Sequence, residues 1–161
     1  MPVVPLHELD GLLSPGRRLL GLDLGEKTIG LALSDSALRV ASPLETLRRT
    51  KFTRDARALR DLCAARNVGG LVIGLPVNMN GSEGPRCRST RQFAANLEEV
   101  AGLDLPMAFW DERLSTEAVE RFLVREADMT RKRRAMVVDR MAAAYILQGA
   151  LDALGRARSE A

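Results

Sequence analysis

The chain has 161 residues, 46% hydrophobic and 28% charged, with a formal net charge of +3. That length suits one domain with a core of its own. Its apolar runs fall well short of the roughly 20 residues that cross a bilayer, and no secretory leader is visible. Aromatic residues, at 4%, are too few for a platform on which single-stranded bases stack.

The positive charge is mostly arginine and the sequence pI is about 9.3, which suits a phosphate-bearing partner as well as an ordinary solvated surface. Cys63 and Cys87 stand far apart with no CxxC spacing, so neither a zinc site nor a disulfide framework is indicated, and a cytoplasmic location fits.

Residues 1–18 carry prolines at 2, 5 and 15 and no sustained period, which predicts a loosely packed extension ahead of a domain spanning 19–153. His7, the single histidine, lies in that extension, which argues against histidine-based catalysis. Leu19–Leu24 and Ile29–Leu33 are short apolar runs around a turn of Gly25, Glu26 and Lys27, the pattern of a β-hairpin. Asp23 interrupts the first run. A carboxylate in an apolar strand is costly unless its charge is compensated, by a metal ion, by a cation, or by capping amides of the turn.

Arg39–Leu47 predicts a third strand, confined to an edge by Pro43. Thr53 is placed to cap a helix that reaches about Arg66 and stops at Asn67 and Gly69–Gly70. Leu71–Leu75 is a continuous apolar run, as in a parallel strand covered on both faces. The polar loop Pro76–Gly84 follows at the strand's carboxyl end, where open α/β sheets place ligands. Asn78, Asn80 and Ser82 there suit phosphate contacts or a plain turn.

A helix over about Pro85–Val100 precedes a strand over Leu105–Trp110, which delivers Asp111, Glu112 and Arg113 to its end. Ser115 or Thr116 then caps a further helix, and a last helix runs from after Thr130 to about Ala153, leaving 154–161 as a tail. The last helix begins Arg131, Lys132, Arg133, Arg134, the unfavourable sign for a helix amino end unless an anion lies nearby; a solvated basic face is the alternative. Asp139 borders the apolar face of that helix, where it can point at a strand end or form a surface ion pair.

Asp23, Glu112 and Asp139 all fall where an α/β sheet can gather them. Clustered carboxylates raise one another's pKa unless a cation neutralises them, and their hard oxygens suit Mg²⁺ or Mn²⁺. Two such ions support phosphodiester cleavage. Lys27, Arg113 and the run 131–134 could then hold the phosphate backbone.

Four stretches resemble the YqgF, or RuvX-like, family: GLDLGEKTIGLALSD at 21–35, GLPVNMNG at 74–81, DERLST at 111–116 and KRRAMVVDRMAAAYILQ at 132–148. The resemblance spans about Leu19 to Asp152. It implies an RNase H-like α/β fold, a five-stranded mixed sheet with its first three strands antiparallel, flanked by helices. It also implies a metal-dependent nuclease in which Asp23, Glu112 and Asp139 are catalytic and bind Mg²⁺ or Mn²⁺, with Asp111 the alternative to Glu112. Lys27, Asn78, Arg113, Arg131, Lys132, Arg133 and Arg134 would contact nucleic acid.

The implied substrates are pre-16S ribosomal RNA at its 5′ end, or branched or single-stranded DNA; a two-fold symmetric junction would call for a homodimer. Where family members often read NMDG, this chain has Asn80, so a loop carboxylate is replaced by an amide. Two readings compete. The pattern Asp23–Thr28 also resembles the phosphate loop of sugar kinases, actin and chaperone ATPases, although those proteins are normally much longer. A non-catalytic RNA-binding factor would use the basic helix start alone.

Overall fold

The computed structural model describes residues 3–114 and 131–160, with side chains described in the second stretch from residue 140 onward. Five strands form one sheet in the order β3-β2-β1-β4-β5. They are β1 (Arg18–Leu24), β2 (Thr28–Ser34), β3 (Ala41–Arg48), β4 (Val68–Leu75) and β5 (Met107–Asp111). β1–β2 and β2–β3 pair antiparallel, whereas β1–β4 and β4–β5 pair parallel. This is the expected mixed sheet with its first three strands antiparallel.

Each strand follows from its residues. β4 lies inside the sheet, between β1 and β5, and is buried along its whole length, which is why it reads as an uninterrupted apolar run. β3 lies at the edge, and the ladder slips between Leu31 and Ala32 opposite Glu45 and Pro43, the residue that cannot donate to a ladder. Successive β1 residues alternate between two cores. Leu20, Leu22 and Leu24 face helices α2 (Phe52–Ala65) and α3 (Pro85–Glu99), packing with Leu59, Phe93 and Leu97. Leu19 faces the long helix α4 (Arg131–Glu160), with Ala143, Leu147 and Leu151. Each fully buried leucine or isoleucine on these faces contributes about 1.5–3 kcal/mol.

The helix limits differ in instructive ways. α2 starts at Phe52 with Lys51 as N-cap and no side-chain cap, rather than at Thr53. Asp55 instead turns back and accepts hydrogen bonds from the Thr50 amide (3.0 Å) and hydroxyl (2.8 Å), closing the β3–α2 connection. Asn67 ends α2 in the left-handed region, at φ 58°, and its amide donates to the Gly16 carbonyl.

The residues ahead of β1 are packed rather than loose. Leu9, on the single-turn helix α1 (Leu6–Leu9), is fully buried beneath α4, and Val3 bridges to Met107. α4 continues to Glu160 and buries Leu154, past the expected end at Ala153; Arg158 near its end pairs with Asp10. Among the described residues no helix is long and apolar enough to cross a membrane. The helix expected after Ser115 or Thr116 lies outside the described residues.

Candidate active site at the carboxyl ends of β1 and β4

Alternation along β1 puts Asp23 on the face covered by α4, two residues beyond Gly21. α4 lies directly on that glycine: a Cβ there would stand 2.8 Å from Leu147 Cβ and 3.0 Å from the Ala143 carbonyl oxygen. Asp23 is half-buried and sits opposite Gly30 of β2. On its other side, one step past the Leu22–Ile73 pair, is Gly74 of β4. Glycine thus flanks Asp23 on both neighbouring strands.

Glu112 fills part of that space from β5. After Asp111 the chain turns through a short 3₁₀ segment (Glu112–Leu114), which swings the Glu112 side chain back over β4. Its Oε1 lies 2.6 Å from where a Cβ of Gly74 would be, beside Ile146 of α4. Neighbouring strands stand ~4.8 Å apart, so Asp23 and Glu112 rise from adjacent positions on one face.

A Gly74→Ala substitution therefore acts on Glu112. The atoms in its way, Glu112 Oε1 and Ile146 Cδ1, are ends of flexible side chains. The fold yields cheaply, the carboxylate does not keep its place, and nuclease activity should fall about 10-fold or more with little change in melting temperature. Parallel activity and thermal-unfolding measurements check this; wild-type activity in the Ala variant would show that the position of Glu112 is unimportant.

Asp111, the alternative to Glu112, is differently employed. By strand alternation it shares the face of Phe109, and Arg113 binds it through the backbone N–H, Nε and Nη2, the last at 2.6 Å. The Arg113 fork holds the Asp111 carboxyl below its ordinary value. The pair is thus complete at neutral pH and is lost only as pH falls through that lowered value. Arg113, expected at nucleic acid, also donates from Nη1 to the Met79 carbonyl (3.3 Å), so it ties the β4–α3 loop to the end of β5.

In that loop Asn78 donates to the Ser82 hydroxyl (3.0 Å), and Asn80 accepts from the Ser82 amide (3.0 Å). Their side chains build the turn. Lys27 is exposed at the tip of the β1–β2 turn. Phe109 and Trp110 pack into the two cores on either side of the sheet, the indole against Gly149.

α4 runs antiparallel to β1. Gln148 bonds to Ala41 and Arg39 at the start of β3, which runs in the same direction as β1, while Ala143 lies over Gly21. Asp139 lies one helical turn before Ala143, ~6 Å further toward the carboxyl end of β1. The side chains of Asp139 and of Arg131, Lys132, Arg133 and Arg134 lie outside the described ones. Among the described residues no three metal-ligating side chains gather.

Sequence reasoning missed the glycine flanks of Asp23, because they depend on which strands become neighbours. It also missed the basic residues Arg49, Lys51, Arg54, Arg57 and Arg86 at this end of the sheet. The run LRRTKFTRDAR at 47–57 was the available signal.

A five-stranded mixed sheet of this order, antiparallel over its first three strands and with Asp23 near the end of the first, is the RNase H-like fold. The chain belongs to the RuvX family, described as Holliday junction resolvase, whose model matches residues 17–153. It is 61% identical over 160 residues to a Rhodospirillum rubrum protein named "Putative pre-16S rRNA nuclease", covering 99% of this chain and 98% of the relative. A Phenylobacterium zucineum protein of the same name is 62% identical over 154 residues, covering 96% and 98%.

Among solved structures, the yeast mitochondrial Holliday junction resolvase superposes with a TM-score of 0.55 at 12% identity, covering 96% of this chain and 86% of that one. Thermus thermophilus RuvC bound to a Holliday junction gives 0.53 at 14% identity, covering 85% and 94%. These two share the fold. The family and the relatives at about 60% identity make the chain a nuclease, a hydrolase of phosphodiester bonds.

Proposed function

We propose that this chain cleaves pre-16S ribosomal RNA at its 5′ end, in the cytoplasm, with Mg²⁺ or Mn²⁺ held by Asp23, Glu112 and Asp139. The observation that carries the reading is that Asp23 and Glu112 lie on one face of the sheet, Glu112 reaching over Gly74 on the strand next to Asp23. Their donors are carboxylate oxygens, the ligands that Mg²⁺ and Mn²⁺ prefer, and two such charges at neighbouring positions favour a cation between them. The residues fit the ion.

When bound, the ion supplies Lewis acidity toward the phosphoryl oxygens and lowers the pKa of water at the site. The protein does the rest. Asp23 at the end of β1 and Glu112 just after β5 present their carboxylates, α4 contributes Asp139 one turn before Ala143, and Arg113 ties the β4–α3 loop to the end of β5. Lys27 and the basic start of α4 hold the phosphate backbone.

The RNA assignment rests on the names of relatives at about 60% identity. The fold shared with junction resolvases favours a second reading, cleavage of a four-way DNA junction, which would engage two copies of the chain at a symmetric substrate. Labelled pre-16S fragments, a four-way junction and single-stranded DNA, each incubated with Mg²⁺ and with chelator, separate the readings. Metal-dependent cleavage of the RNA near its mature 5′ end is expected. Paired cuts in the junction with the RNA left intact would overturn the RNA assignment, and tight RNA binding without cleavage would point to a non-catalytic factor.

A further inference from the structure

Outside the acids, the most distinctive chemistry at this end of the molecule is a cationic face on the opposite side of the sheet. It begins in a cavity of about 80 Å³ between the β1–β2 turn and α3, lined by Arg49, Arg86, Ser89 and Thr90 together with Glu26 and Phe93. Arg49 is held there in a fixed pose. Its Nη1 donates to the Gly25 carbonyl (2.6 Å), its guanidinium lies 5.4 Å from the Phe93 ring centre, and its backbone N–H donates to the Lys27 carbonyl (2.8 Å).

Immediately beyond, Thr50, Lys51, Thr53, Arg54 and Arg57 line a shallow open depression without an acidic residue. Asp55, the acid within this stretch, is only 7% exposed and bonds inward to Thr50. Arg54 and Arg57 are exposed and three residues apart, so they share one face of α2. α2 begins at Phe52, and its amino-terminal dipole adds to the positive potential. Glu26, at the turn, is the acid in the cavity lining.

We propose that this face carries the sugar–phosphate backbone of the nucleic-acid substrate to one side of the scissile bond. Arg49 and Arg86 take the nearer phosphate in the cavity, and Lys51, Arg54 and Arg57 take those further out. The inference rests on the nuclease reading above and names where its substrate runs. Geometry supports it: the β1–β2 turn separates the cavity from Asp23, so a backbone crossing the carboxyl end of β1 passes from one to the other. The chemistry is that of a phosphodiester chain. Arginine forks match phosphate oxygens in pairs of bonds, and the polar groups of this surface, Glu26 apart, are cations and hydroxyls, so it reads charge and not base identity.

The test uses the double variant Arg54→Gln/Arg57→Gln, both sites exposed, against Arg66→Gln, an exposed arginine just past the other end of α2. The probe is a short fluorescent single-stranded RNA, and its affinity for the full chain is measured over a salt series. Each lost phosphate contact flattens the log–log salt slope by ~0.7, so the double variant should lose ~1.4 in slope and bind about 25-fold more weakly at ~0.1 M salt. Arg66→Gln should match wild type.

An unchanged slope and affinity in the double variant, or an equal loss in Arg66→Gln, would overturn the proposed path. Binding is read without chemistry, so the two readings fail separately. A double variant with wild-type binding beside a metal-dependent, Asp23-dependent wild-type nuclease removes the path alone. Weakened binding in the double variant without any metal-dependent cleavage by wild type keeps the path and removes the nuclease reading.

Discussion

Glu112→Gln should reduce phosphodiester cleavage by about 1000-fold, while Asp111→Asn, one residue earlier, should leave it within about 10-fold of wild type. The contrast follows from where the two carboxylates go. Glu112 reaches back over Gly74 to the Asp23 side of the sheet, whereas Asp111 is occupied by Arg113 on the other. Removing one charged ligand from a metal site costs several kcal/mol of transition-state stabilisation, and each ~1.4 kcal/mol is a factor of ten in rate. Asp111→Asn weakens a partly exposed ion pair, which solvent screens and which touches no ligand of the metal. Initial rates at saturating Mg²⁺ decide it. Equal losses in both variants would mean that the loop tether, and not the Glu112 carboxylate, limits the reaction.

Gly21→Val should be the most damaging single change to the fold. The obstacles to a side chain at Gly21 are the Cβ of Leu147 and the carbonyl of Ala143, which belong to the body of α4 and cannot rotate away. The helix must lift off β1, and with it the layer formed by Leu19, Ala32, Val72 and Ala150. Overpacking of this kind costs ~1–3 kcal/mol and more where backbone has to move. A domain of this size then loses roughly 4–10 °C in melting temperature. Thermal unfolding followed by circular dichroism checks it, with Gly11→Ala as the control, since a side chain at Gly11 meets open space. Equal melting temperatures would show that α4 is not seated on β1 as described.

These two expectations differ in how far they could be read from the sequence alone. The strands of the sheet were legible because glycine and polar turns bound short apolar runs, and Pro43 correctly marked an edge strand. The end of α2 was legible too, because Asn67 tolerates the left-handed backbone that stops a helix.

Residues 3–17 were misread because their contacts are long-range: Leu9 is buried by α4 and Val3 bridges to β5, and neither leaves a local period. The surroundings of Asp23 were opaque for a related reason. A glycine at 30 or 74 looks like any strand glycine until register places it beside an acid. The resemblance supplied Glu112 as a candidate, but that its side chain returns over β4 depends on the 3₁₀ turn after β5. Arg49 is the opposite case: its charge was plain in the sequence, while its fixed pose against Gly25 and Phe93 exists only in the fold.

The most direct measurement is cleavage of a labelled pre-16S fragment by wild type and by Asp23→Asn, each over a Mg²⁺ titration. The substitution removes one charge and almost no volume, so both proteins should melt alike while the variant loses about 1000-fold in rate at every Mg²⁺ concentration. Cleavage by Asp23→Asn at the wild-type rate, or wild-type cleavage that persists in chelator, would contradict a metal-dependent centre at the end of β1.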